Sequence, residues 1–136
     1  MRVSRVLLVD DDDLLRETLA EALRAAGMIV SEADNGAAGF TMVAGGGFDL
    51  VVTDLYMPDG DGLELLMRMR DAAIATPVIM MTGGVKDDFG TPDPVTEPSL
   101  RAARIFGAVR TLRKPVLPSE LMREIGAVAA QPGHDK

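Results

Sequence analysis

Leu50-Val51-Val52-Thr53-Asp54-Leu55-Tyr56-Met57-Pro58-Asp59-Gly60-Asp61-Gly62 decides the fold, because a continuous apolar run ends on one carboxylate and then breaks into turn residues. An unbroken run of this kind is the pattern of a strand covered on both faces, as strands inside parallel sheets are. Open parallel sheets bind and react outside the carboxyl ends of their strands, so Asp54 is the first candidate for a reacting residue. Pro58, Gly60 and Gly62 exclude a helix that starts at Asp54. They call for a loop that carries the main chain of Leu55 to Met57 past the carboxylate.

Outward from that stretch the pattern repeats. Val6-Leu7-Leu8-Val9 is a short apolar run that ends in Asp10-Asp11-Asp12-Asp13. From Leu15, the residues Leu19, Ala22, Leu23 and Ala26 fall at helical spacing, and Gly27 is a natural stop. Asp12 and Asp13 suit the first turn of that helix, where they cap free N–H groups and meet the positive end of the dipole. Residues 28–33 read as a second strand, and Asn35-Gly36 as a turn into an alanine-rich helix over 37–44. Gly45-Gly46-Gly47 precedes a strand and has no Lys-Ser or Lys-Thr after it, so it reads as a flexible connection rather than a phosphate cradle.

Leu63, Leu65, Leu66 and Met69 give a helix ending near Asp71, and residues 77–81 give a fourth strand that leads into Thr82-Gly83-Gly84. Residues 83–98, rich in proline and glycine, read as a long loop. Ser99 caps a short helix carrying Leu100, Ala103 and Phe106, which Gly107 ends. Residues 109–112 form the fifth strand, with Lys114-Pro115 after it. Ser119 opens the last helix, with Leu121, Ile125 and Val128 inward, and residues 131–136 are a polar tail.

The 136 residues, 47% hydrophobic and 26% charged, suit one domain, expected over residues 1–130. A formal charge of −7 argues against direct binding to nucleic acid or anionic membrane. With no cysteine, thiolate metal sites, disulfides and a cysteine nucleophile are excluded. The single histidine, His134, sits in the tail and excludes a histidine-based active site or metal centre. No apolar run reaches the length of about 18 residues that a membrane span needs, and the first residues lead into a strand rather than a signal sequence. A soluble, cytoplasmic protein is expected.

Five strands alternating with five helical patterns predict an α/β fold, a doubly wound parallel sheet with helices on both faces. Its carboxyl edge gathers Asp10, Asp11, Asp54, Thr82 and Lys114 from four segments. Three clustered carboxylates repel unless a cation joins them, and an all-oxygen set suits Mg²⁺. Lys114 and Thr82 are placed to hold two oxygens of a phosphoryl group carried by Asp54.

Val9-Asp10-Asp11, Asp54 with Met57-Pro58 and Asp61-Gly62, Thr82-Gly83 and Lys114-Pro115, in this order, resemble the receiver domain of bacterial two-component response regulators. The likeness covers roughly residues 3–130. It implies a flavodoxin-like sheet in order 2-1-3-4-5 and Asp54 as the residue phosphorylated by a histidine kinase or a histidine phosphotransfer protein. It implies that Asp11 and Asp54 ligate Mg²⁺ directly, with Asp10 acting through water and the backbone carbonyl of Tyr56 adding an oxygen. Thr82 and Lys114 then contact the phosphoryl group, and a cis peptide joins Lys114 to Pro115. Three features depart from the family pattern: Thr111 stands where an aromatic residue is usual, Val116 where phenylalanine is common, and the loop after Thr82 is long. Tyr56 stands where its ring could shade the phosphoryl group from water.

The expected function is therefore that of a single-domain response regulator, a monomer or weak dimer with slow self-catalysed dephosphorylation. No output domain is expected, so the signal passes to a downstream protein target or the phosphoryl group is relayed. The alternative is a receiver-like interaction module that works without phosphorylation, against which the complete acid, threonine and lysine set argues. An aspartyl-phosphate hydrolase needs a second acid where Tyr56 stands. A calcium loop needs a third acidic ligand and a terminal glutamate, which Asp59 and Asp61 lack.

Overall fold

A computed structural model of the protein describes residues 2–57, 62–82, 103–105 and 107–130. The turn residues Pro58 to Asp61, the long loop 83–98 with Phe89, the cap Ser99 with Leu100 and Phe106, and the tail with His134 lie outside the described residues. The elements run β1 (Arg5–Val9), α1 (Asp13–Ala25), β2 (Ile29–Ala33), α2 (Gly36–Ala44), β3 (Leu50–Asp54), α3 (Gly62–Asp71) and β4 (Val78–Thr82). Helical residues 103–105 mark α4, and β5 (Arg110–Arg113) and α5 (Pro118–Ala130) follow.

All pairings are parallel, in the order β2-β1-β3-β4-β5, as expected. Every residue of β3 and β4 is buried, which accounts for the unbroken apolar runs of these inner strands. Alternate residues face opposite layers. Val6, Leu8, Val52, Ile79 and Met81 pack with Leu19 and Leu23 of α1 and with Leu121, Ile125 and Val128 of α5. Leu7, Val9, Val51, Val78 and Met80 pack with Val43, Leu65, Met69 and Ala103 on the other side. Among the described residues no helix is long and apolar enough to cross a membrane.

Element ends differ from the periodicity reading where caps decide them. The first helix starts at Asp13 with Asp12 as its cap, as their place in the chain suggested: the Asp12 side chain accepts from Leu15 N at 3.1 Å. Ala26, expected on the apolar face, is the exposed C-cap. The helix expected over 37–44 begins at Gly36, with Asn35 Oδ1 accepting from Ala38 N at 2.8 Å. Ser119 does not open the last helix; Pro118 does, since a proline needs no N–H partner in a first turn, and Glu120 Oε1 accepts from Leu117 N at 3.3 Å. The second strand starts at Ile29 rather than Met28, because Gly27 at φ +93° and Met28 close the turn after α1. The last two strands are each shifted one residue onward, to Val78–Thr82 and Arg110–Arg113, by their shared register.

Candidate functional site

Register brings the acids together. Val9 pairs with Thr53 and Asp54 with Met81, so β1, β3 and β4 end within a residue of one another along one edge. Asp10 leaves β1 with its N–H still donating to Ala33 O of β2 at 3.0 Å. Its side chain is fully buried, and Oδ1 accepts from Asp12 N at 2.9 Å. Asp54 closes β3 with 5% exposure, and its carbonyl accepts from the Thr53 hydroxyl at 3.0 Å. Asp11 is exposed beside them. Oxygens of Asp10, Asp11 and Asp54 all lie within 4.8 Å of one another.

Lys114 reaches these acids from the far side of the sheet. Its N–H extends the ladder by donating to Thr82 O at 2.7 Å, and the peptide to Pro115 is cis, as the resemblance implied. Nζ stands 3.0 Å from Asp10 Oδ2 and 3.2 Å from Asp54 Oδ2. Burial, and next to it the charge of Asp10, push the Asp54 carboxyl up to about 6, with Lys114 pulling the other way. Burial also raises Asp10. For Lys114, burial works against the charge, but Asp54 and Asp10 together outweigh it and hold the ammonium above its ordinary value. The edge thus carries more buried negative charge than one lysine balances.

That imbalance tests whether a divalent cation fits. Three carboxylates within reach of one another and no nitrogen or sulfur donor among them suit a hard ion such as Mg²⁺. Two buried oxygens also lack a hydrogen bond among the described residues, Asp10 Oδ2 and Thr82 Oγ1. At 3.0 Å from Lys114, Asp10 Oδ2 is paired by charge without a well-aligned hydrogen bond. The donor set fits the ion.

The remaining candidates stand as follows. Thr82 is the last residue of β4, fully buried, one step beyond the partner of Asp54 in the register. Tyr56, half-buried two residues past Asp54, packs its ring against the α2–α3 layer. Thr111, half-buried on β5, accepts a hydrogen bond from Arg104 Nη2 at 3.2 Å.

The structure gives a reason for Gly62, which the motif contained, and adds Arg16, for which the motif held no signal. Gly62 N donates to Leu55 O at 2.8 Å, and a Cβ on Gly62 would collide with the Asp54 carbonyl and stand 2.8 Å from Met80 Sδ. The sequence marked Gly62 as a turn former and as part of the motif, but not the close approach that requires it. Arg16, one turn into α1, donates to Asp10 O at 2.6 Å and bridges to Glu32 on β2. Nothing in local spacing ties an arginine of α1 to a glutamate of β2.

Comparison with known proteins agrees with this geometry. Residues 6–126 match the response regulator receiver domain family. The chain is 32% identical over 140 residues to the transcriptional regulatory protein TcrA of Mycobacterium tuberculosis, covering 97% of this chain and 55% of that protein. It is 31% identical over 115 residues to the probable transcriptional regulatory protein SilR of Salmonella typhimurium, covering 79% and 50%. The chain thus spans about half the length of these relatives. Among solved structures it is similar to a CheY-like receiver domain protein from Methanospirillum hungatei, at TM-score 0.79 and 25% identity over 93% of this chain and 94% of the other.

Proposed function

From the chain's membership of the response regulator receiver domain family, we propose that Asp54 accepts a phosphoryl group from a phosphohistidine donor in a Mg²⁺-dependent step. The receiver family is a phosphoacceptor switch, and its members interact with histidine kinases and downstream effectors. The observation that carries the assignment to Asp54 is its position: a nearly buried strand-end carboxylate, 3.2 Å from Lys114 Nζ and within reach of two further acids.

An Asp54 oxygen attacks phosphorus as the P–N bond of the donor histidine breaks, and the leaving imidazole nitrogen keeps the electron pair. Asp11 and Asp54 would hold Mg²⁺ directly, with Asp10 through water and the Tyr56 carbonyl as a further oxygen. The bound ion supplies charge neutralisation for the phosphoryl oxygens. Lys114 and the Thr82 hydroxyl each contact one phosphoryl oxygen, and the lack of a partner for Thr82 Oγ1 among the described residues supports that role. Residues 1–130 form the working unit, and its net charge of −7 favours a protein over nucleic acid as the surface it meets.

Intact-mass measurement after incubation with acetyl phosphate tests this reading. A gain of one phosphoryl group that EDTA abolishes supports it. A gain indifferent to EDTA overturns the metal dependence, and no gain from either acetyl phosphate or a phosphorylated kinase overturns the function.

A further inference from the structure

Arg16 is nearly buried, with a side chain 11% exposed, and its guanidinium points in three directions at once. Nη1 donates to the main-chain carbonyl of Asp10 at 2.6 Å. Nε pairs with Glu32 Oε1 at 3.1 Å and Nη2 with Asp13 Oδ1 at 2.8 Å. The other oxygen of Glu32 is held at 3.2 Å by Arg24, which also donates to Val30 O at 2.9 Å. A chain of charge-assisted bonds therefore runs from β2 across α1 to the peptide that joins Asp10 to Asp11.

That peptide sets the direction of both acids. The Asp10 carboxylate has an anchor of its own in Asp12 N. Asp11 is exposed, and among the described residues no hydrogen bond holds its carboxylate, so its aim depends on the main chain beneath it. We propose that Arg16 is a positioning residue for the cation site: by fixing the Asp10–Asp11 peptide against β2 it keeps the Asp11 carboxylate directed at the space shared with Asp10 and Asp54. This rests on the reading of the acid cluster as a Mg²⁺ site.

Charge and geometry predict opposite effects when Arg16 is removed. Its loss alone removes the ion pair of Asp13 and leaves Glu32 to Arg24, and the added negative charge attracts any cation. The paired change Arg16→Gln with Glu32→Gln keeps the net charge and isolates the geometry. Calorimetric Mg²⁺ titration should show binding about tenfold weaker in the double variant, the scale on which outer contacts of metal ligands act. The half-saturating Mg²⁺ for acetyl phosphate labelling should rise by the same factor, while labelling at saturating Mg²⁺ stays within about twofold. Arg16→Lys, which can reach Asp10 O or Glu32 but not both, should fall between.

A folded double variant that melts at a lower temperature yet binds Mg²⁺ like the wild type marks a purely structural tie and overturns the inference. Should the double variant fail to fold, wild-type Mg²⁺ affinity in Arg16→Lys overturns it equally. A wild-type protein that binds no Mg²⁺ overturns instead the reading on which the inference rests.

Discussion

Asp54 is held in an environment that disfavours its charge. Its folded pKa of about 6 lies above the ordinary 3.8, with burial the main cause and Asp10 the next. For an acid raised in this way, the favourable contribution is fully present below the unfolded pKa and is lost as pH rises through the folded one. In EDTA, Asp54→Asn should therefore be more stable than the wild type at pH 7, by on the order of 2–3 kcal/mol. The gap should narrow steadily between about pH 7 and pH 4. Urea melts at several pH values check this. A gap that stays constant means that Asp54 carries no such penalty. Asp12→Ala makes the contrast among neighbouring acids, because the Asp12 side chain caps α1 while only its main-chain N–H serves Asp10. That change should cost about 1 kcal/mol of stability and leave acetyl phosphate labelling intact.

Elements meet at two places where one atom decides the outcome. At Gly62, the first residue of α3, a Cβ has no room beside the Asp54 carbonyl and Met80 Sδ. Gly62→Ala should destabilise by about 2–3 kcal/mol by overpacking, measured by urea denaturation, because the crowded atom is main chain and cannot rotate away. At the other end of α3, Ala73 has φ +58°, a left-handed residue that closes the helix with Ala73 N donating to Arg70 O and Ile74 N to Met69 O. Glycine is favoured at such a position. Ala73→Gly should stabilise by about 0.5 kcal/mol, the relief of left-handed strain exceeding the extra freedom of the unfolded chain, and a lower midpoint in the same melt contradicts that balance. Element existence was legible throughout, and so were the Asp12 cap of α1 and the end of α3 at Asp71, while several other ends were not. Runs such as 50–54 and 78–82 carry their burial in composition, since both faces are covered, whereas the helix starts after Asn35 and Leu117 turn on single hydrogen bonds.

At the scale of the molecule, the doubly wound topology converts four distant segments into one edge, and this much was readable from carboxylates and a lysine placed after apolar runs. What the residues alone could not convey is support from outside the edge. Arg16 and Glu32 belong to different layers, and their meeting depends on how α1 crosses β2. Thr111 has the same character: its smallness is visible in the chain, its bond to Arg104 only in the fold. The central claim is that this edge exists to carry a phosphoryl group on one residue. Borohydride reduction after transfer from a phosphorylated histidine kinase converts a phosphoaspartate to homoserine, which peptide mass spectrometry locates. The account predicts homoserine at position 54 alone, lost when EDTA is present during transfer. Homoserine at Asp10 or Asp11, or none at position 54 despite transfer, would contradict it.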